Sequence, residues 1–197
     1  MDAPLTLEQT AELIVGHVEV EQELFRLTGF WSTDGSAGAG SAGPAAHSQA
    51  HFAAESAHHG WRAEQWQTRV VRSVGPAKPS DSTRRVDPIV AAVAGLLEDD
   101  LDPRARLAVW GHVLAPSLAG RYLGHRRGLA SAADGGLDRW LGICITDLQR
   151  GATEAVALAW SPEHSSEHSN SEYGSSVDAA ADAVRSALER VAARRGN

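Results

Sequence analysis

Two long stretches of this chain repeat their apolar residues at intervals of three and four, a period that builds an α-helix and cannot build a half-buried strand. In the first, Leu7, Ala11, Ile14, Val18, Phe25 and Thr28 form one seam, widened by Leu13, Val20, Leu24 and Leu27. Thr6 followed by Gln9 is a capping-box pattern, so a helix is predicted from about Leu5 to Phe30. The glycine- and serine-rich run 32–44 then reads as a flexible loop. The second stretch, about Ala45 to Ser73, carries Phe52, Ser56, His59, Ala63, Trp66 and Val70 on its seam and stops before Gly75-Pro76-Ala77-Lys78-Pro79.

Further along, Asp87-Pro88 and Asp102-Pro103 each pair a good N-cap with a proline suited to the first helical position. They predict a short helix to about Leu101 and a longer one over about 103–129, in which Pro116 removes a backbone donor and should kink the rod. After the turn Asp134-Gly135-Gly136 another helix runs to about Trp160. Residues 161–176 read as a linker, and 177–197 as a C-terminal helix rich in alanine and arginine. No segment combines period-two alternation with turn chemistry, and no solenoid repeat is present. The expected fold is all-α: a four-helix bundle over 1–160, with an extra short helix in the second-to-third crossover, which is the ferritin-like arrangement.

Charge and cysteine content narrow the functions. A net charge of −7 argues against broad electrostatic capture of nucleic acid. One cysteine, Cys144, excludes an intrachain disulfide and a thiolate-dominated zinc site, and its apolar neighbours predict an inert thiol. The N-terminal residues are acidic and amphipathic, unlike a secretory leader, and no apolar run approaches the roughly 18 residues of a membrane span. A cytoplasmic protein without a membrane or nucleic-acid partner is expected. Neither a Gly-x-Ser-x-Gly elbow nor a phosphate-cradling glycine loop occurs.

The candidates for chemistry are polar residues standing where the helical period asks for apolar ones. Glu21 falls among Ile14, Val18, Leu24 and Thr28, with His17 one turn earlier, whereas Glu19 and Glu23 share the outer face with Glu12 and Arg26. A carboxylate on an apolar face needs a cation, a metal ion or several donors. On the second helix Glu55, His58 and His59 repeat the anomaly, and Glu-x-x-His sets an oxygen and a nitrogen ligand on one face. Arg121, Tyr122 and His125 cluster on the third long helix, and Asp147 with Arg150 on the fourth. The candidate metal ligands are therefore Glu21, Glu55, His58, His59, His17 and His125. His47, His51 and His112 read as surface or packing residues, His164 and His168 as linker residues, and the six tryptophans as packing anchors.

The segments His17-Val18-Glu19-Val20-Glu21-Gln22-Glu23-Leu24-Phe25 and Ser56-Ala57-His58-His59-Gly60-Trp61-Arg62-Ala63-Glu64-Gln65-Trp66 resemble the ferritin-like superfamily, in particular ferritin-like-fold proteins of actinobacterial type. The resemblance covers most of 5–160. It implies a bundle whose active members bind a carboxylate-bridged pair of iron or manganese ions and activate dioxygen or peroxide, with Glu21, Glu55 and His58 as the matching ligands here. The other half departs from that pattern: no glutamate stands beside Arg121 and Tyr122, and Arg150 replaces a histidine in Asp147-Leu148-Gln149-Arg150. An arginine cannot ligate, but its charge can stand in for a metal ion.

Three functions follow. One is an oxidoreductase or oxygenase holding one or two ions of iron or manganese and acting on a small or nucleotide-linked substrate. The second is a non-catalytic bundle without a metal, with a buried ion network, that binds a partner or forms a homodimer. The third resembles DinB-like thiol-transfer bundles, with His17, His59 and His125 around zinc or nickel.

Overall fold

The computed structural model describes residues 4–33, 44–70, 87–98, 101–130 and 134–161, together with Asp182. Among them every regular element is helical and no strand occurs. The helices are α1 (Leu7–Thr33), α2 (Pro44–Arg69), α3 (Pro88–Glu98), α4 (Pro103–Val109), α5 (Ala115–Arg127) and α6 (Gly135–Ala159). Of the expected loop at 32–44, Ser32 and Thr33 belong to α1 and Pro44 to α2, and its remainder, the breaker at 75–79, and the expected linker and C-terminal helix beyond 161, Asp182 apart, lie outside the described residues.

Local signals set the helix starts. Thr6 N–H donates to Gln9 Oε1 at 2.9 Å and Gln9 N–H donates back to Thr6 Oγ1 at 3.2 Å, the reciprocal pair of a capping box. Asp102 accepts from the backbone N–H of Arg104 and Ala105, with Pro103 at the first helical position. Asp87 Oδ1 accepts from Ile89 N–H at 2.9 Å and starts α3. Asp134 opens α6 without a side-chain cap, and Gly135 and Gly136, expected as a turn, already belong to the helix.

The helical hydrogen-bond pattern changes next to Pro116, where a kink is expected. Immediately before it, Trp110–Leu114 forms a π-helical turn in which Ala115 N–H bonds to Trp110 C=O. A proline ring presses on the carbonyl four residues earlier, here that of His112. Widening the helix by one residue relieves that clash, and the backbone stays in the right-handed helical region from α4 into α5. Gly111, in the widened turn, lies so close to α6 that a Cβ there would stand 2.7 Å from Val156 Cγ2 and 2.9 Å from the Ala152 carbonyl.

α1 and α2 pack along their lengths, α5 on α6, α4 and the π turn on α6, α3 on α1, and α2 more sparsely on α6. Each of α1 and α2 buries one seam: Ile14, His17, Glu21, Leu24, Thr28 and Trp31 on α1, and Ser48, Phe52, Glu55, His59, Arg62 and Trp66 on α2. Their alternating steps of three and four are the spacing of knobs-into-holes packing. Leu7 and Phe25, expected on the first seam, are exposed, and so is Val70 beyond the end of α2. Val20 and Leu27 take the flanking core positions instead, which rotates the buried stripe toward His17 and Glu21. Glu19 and Glu23 are half-buried rather than fully solvated, with Glu23 paired to Arg26. Trp31, Trp66, Trp110 and Trp140 are core anchors, whereas Trp61 and Trp160 are half exposed.

Candidate functional site

More than half of the buried seam positions on α1 and α2 are polar, and three of them, Glu21, His59 and Arg62, meet in a buried network. Its centre is Arg62, a residue the sequence reading left unassigned. It is fully buried. Its Nε donates to Glu21 Oε1 at 2.9 Å and its Nη1 to Asp147 Oδ2 at 2.5 Å, so one guanidinium links α1, α2 and α6. Tyr122 on α5 also donates its hydroxyl to Glu21 Oε1, and accepts Trp66 Nε1–H at 3.0 Å. Asp147 takes a second guanidinium on its outer side, Arg150 Nη2 at 2.6 Å. Arg150 thus pairs with Asp147 at the protein surface and leaves the interior position to Arg62.

Burial by itself would push the Glu21 carboxyl up; Arg62, His59 and the Tyr122 hydroxyl outweigh it and hold Glu21 below the ordinary range, as a carboxylate. His59 is pushed down to about 4, first by burial and also by Arg62, and is therefore neutral. Facing an ionised Glu21 Oε2, its Nδ1 carries the ring hydrogen and donates it. Arg62 Nη2, 3.1 Å from the same Nδ1, is then a close neighbour rather than a second donor to it. Burial, reinforced by the Glu21 charge, holds the Tyr122 hydroxyl protonated and able to donate.

His17 and His125 form a second pair. Arg121 Nε donates to His17 Nδ1 at 3.2 Å, which fixes the hydrogen on Nε2, and that atom donates to His125 Nδ1 at 3.0 Å. Burial lowers both histidines, with the Arg121 charge acting in the same direction. Arg121 is tied to Asp87 at the start of α3, so it serves His17 and α3 and does not reach Glu21. The His17 ring lies edge-on to Tyr122 and beside Trp66, which separate this pair from the Arg62 network.

Glu55 and His58 form a third group, on the side of α2 that faces α6. Glu55 is buried, its carboxyl resting on Gly151, where any Cβ would overlap it. His58 Nδ1 lies 3.9 Å from Glu55 Oε1 and 3.9 Å from Asp147 Oδ2. Burial pushes Glu55 up to about 7, aided by Asp147 and Glu154 and opposed by Arg62 and Arg150. Cys144 is buried and pushed up to about 12, so the thiol is inert as expected.

The six sequence-derived ligand candidates therefore fall into three pairs, Glu21 with His59, His17 with His125, and Glu55 with His58. Among the described residues no group of three or more His, Cys, Asp or Glu side chains is arranged to hold a metal ion. The donor set does not fit a metal centre as it stands, because Glu21 Oε1 accepts from Arg62 and Tyr122 while Oε2 accepts from His59. The signal for Arg62 was present in the spacing. Positions 48, 52, 55, 59, 62 and 66 alternate by four and three, and 62 completes that series. No family model matches the chain, and no curated protein or solved structure does either. No described helix is long and apolar enough to cross a membrane.

Proposed function

We propose that this chain is a ferritin-like four-helix bundle, with α1, α2, α4–α5 and α6 as its rods, whose centre is closed by an ion network in place of a metal, and that it works as a non-catalytic scaffold through its surface. The observation that carries this reading is the Arg62 guanidinium between Glu21 and Asp147. Catalytic metal centres keep an open coordination position, and catalytic carboxylates keep a free lone pair aimed at substrate. Glu21 has committed both oxygens to side chains of the same chain. The oxidoreductase reading would require it to release Arg62, Tyr122 and His59 together.

A scaffold needs an outer surface for its partner. Phe25 beside Gly60, Trp61 against Trp140, and Ile143 one turn from Trp140 each expose nearly half of their surface on α1, α2 and α6. This face is where a second copy or another protein would pack.

Two measurements test the reading. Protein purified from metal-supplemented medium should contain no stoichiometric iron, manganese or zinc, and its mass in solution should rise with concentration in a way that Trp61→Ser and Ile143→Ser suppress. One tightly held ion per chain, lost in Glu21→Gln, would overturn it.

A further inference from the structure

We propose that the groove between α5 and α6 is a docking trough for this chain's own residues 177–191, which seat a narrow apolar stripe in it as a further helix. The inference depends neither on the ion network nor on the scaffold reading.

Begin with the segment. Val177, Ala181, Val184, Leu188 and Val191 follow one another by four and three, the spacing of one helical face, while Asp178, Asp182, Arg185 and Glu189 fall on the other side. Ser176 suits the N-cap and Asp178 the first turn. Asp182, the one residue of this segment that the structure describes, is helical and exposed, as its place on the polar side requires. A helix of about 15 residues is marginal alone in water, so this one needs a surface against which to bury its stripe.

The α5–α6 groove offers that surface. It encloses about 330 Å³ and is lined largely by apolar residues, among them the small Ala115, Ala119 and Gly120 of α5 and Ala152 of α6. Leu123, also in the lining, is exposed, and Ile145 and Ala152 are only half-buried. A Cβ at Gly120 would meet no described atom within 4 Å, so the trough is open over that residue. A trough of alanine and glycine takes a ridge of alanine, valine and leucine, as the ridge of one helix enters the groove of another. Phe25, Trp61 and Ile143 elsewhere present bulky exposed side chains and do not offer that complement.

Tethering decides the occupant. Ala152 lies two turns, about 10 Å, before the end of α6 at Ala159. Residues 161–176 span up to about 50 Å when extended, so the segment reaches the trough from its own α6. A connection of this kind gives an effective concentration on the order of millimolar. A separate protein has no such advantage and holds stably only through a contact of about 1,200 Å² or more.

Hydrogen exchange on the full chain tests this, with the amides of 177–191 read apart from those of α1–α6. In the wild type they should exchange at least about tenfold more slowly than in Leu188→Asp, which charges the stripe, and than in Gly120→Leu, which fills the trough where there is room for a side chain. Both variants should keep the protection of α5 and α6. Gly95→Leu, the same change at an open glycine on α3, should leave the segment protected. Should Gly120→Leu fail to fold, cysteine pairing takes its place: Gly120→Cys with one of Ala181→Cys, Val184→Cys or Leu188→Cys should close an intrachain disulfide under mild oxidation, and Gly120→Cys with Asp182→Cys should not. Unfolded exchange rates over 177–191 in the wild type, protection that survives both Leu188→Asp and Gly120→Leu, or no disulfide at any of the three stripe positions overturns the proposal. Protection that appears only as protein concentration rises assigns the trough to a second copy and overturns it as well.

Discussion

Arg62 Nε meets Glu21 Oε1 at 2.9 Å with neither side chain exposing any surface. Removing two charges from water costs several kcal/mol each, and attraction between them offsets this only when the remaining donors and acceptors are also engaged. The carboxylate meets that condition here, and the guanidinium meets it on Nε and Nη1. Glu21 takes His59 and Tyr122 in addition, and Arg62 takes Asp147. The pair therefore joins α1 and α2 to α5 and α6 through directional bonds, where apolar residues alone would tolerate sliding.

Breaking the pair from one side should be costly and removing it from both sides much less so. Glu21→Gln leaves a guanidinium fully buried against a neutral amide, and about 3–5 kcal/mol of stability should be lost. Arg62→Leu strands Glu21 by the same argument. The double substitution Glu21→Met with Arg62→Leu, which replaces both charges by apolar groups, should cost clearly less than the two single losses combined. Urea denaturation with unchanged slope measures this cycle. Additive losses would mean that the two side chains act independently.

Glu55 predicts a pH dependence of its own sign. Its carboxyl titrates at about 7 in the folded chain against an ordinary 4.5, so folding favours the protonated form. Below 4.5 it is protonated folded or unfolded and contributes no difference. As pH rises from 4.5 to about 7 the unfolded chain ionises more readily, stability falls, and above 7 the penalty is constant. Glu55→Gln has no proton to lose. Its stability relative to wild type should rise across that window, to a difference on the order of 2–3 kcal/mol at pH 8. Denaturation of both proteins at pH 4, 6 and 8 provides the test, and a flat difference would refute the buried-carboxyl account.

His59 acts at the opposite end of the scale. It is held down to about 4 in the fold and is neutral there, whereas an unfolded histidine gains its proton near 6.5. Stability should therefore fall as pH drops from 6.5 to about 4, by up to about 3 kcal/mol from this side chain. His17, also lowered chiefly by burial, adds a loss of the same sign. NMR titration of the imidazoles would show His59 and His17 remaining neutral at pH 5.5 in the native state. A native His59 that protonates near 6.5 would contradict the burial and charge argument.

Much of this was legible in the sequence, and the parts that were not have a common cause. Thr6 with Gln9 and Asp102 with Pro103 marked helix starts because capping depends on neighbours a few residues apart. Glu21 stood out because the apolar residues around it defined a face. Arg62 did not, since a long charged side chain next to Trp61 and Glu64 reads as solvent-exposed when only its near neighbours are considered. Its burial depends on Glu21 and Asp147, which lie 41 and 85 residues away. Phe25 was misplaced for the converse reason. It fits the apolar period, but the buried stripe turns toward His17 and Glu21 and leaves Phe25 over Gly60 near the surface. The choice of six ligand candidates found the polar interior and missed the cation that organises it.

The π turn gives the final prediction, which separates glycines that hold helices together from those that weaken them. Gly111 lies where a methyl group would press on Val156 and on the Ala152 carbonyl, and the backbone of α6 cannot move away as a flexible side chain could. Gly111→Ala should cost about 1–3 kcal/mol through overpacking. Gly124, exposed in α5, has nothing within 4 Å of the same atom. There alanine only restricts the unfolded chain and improves helix propensity, so Gly124→Ala should add about 0.5–1 kcal/mol. Thermal and urea denaturation of the two variants should move in opposite directions. A neutral Gly111→Ala would mean that the π turn adjusts its distance from α6, and that relief of the Pro116 clash, rather than close approach to α6, is what shapes this part of the rod.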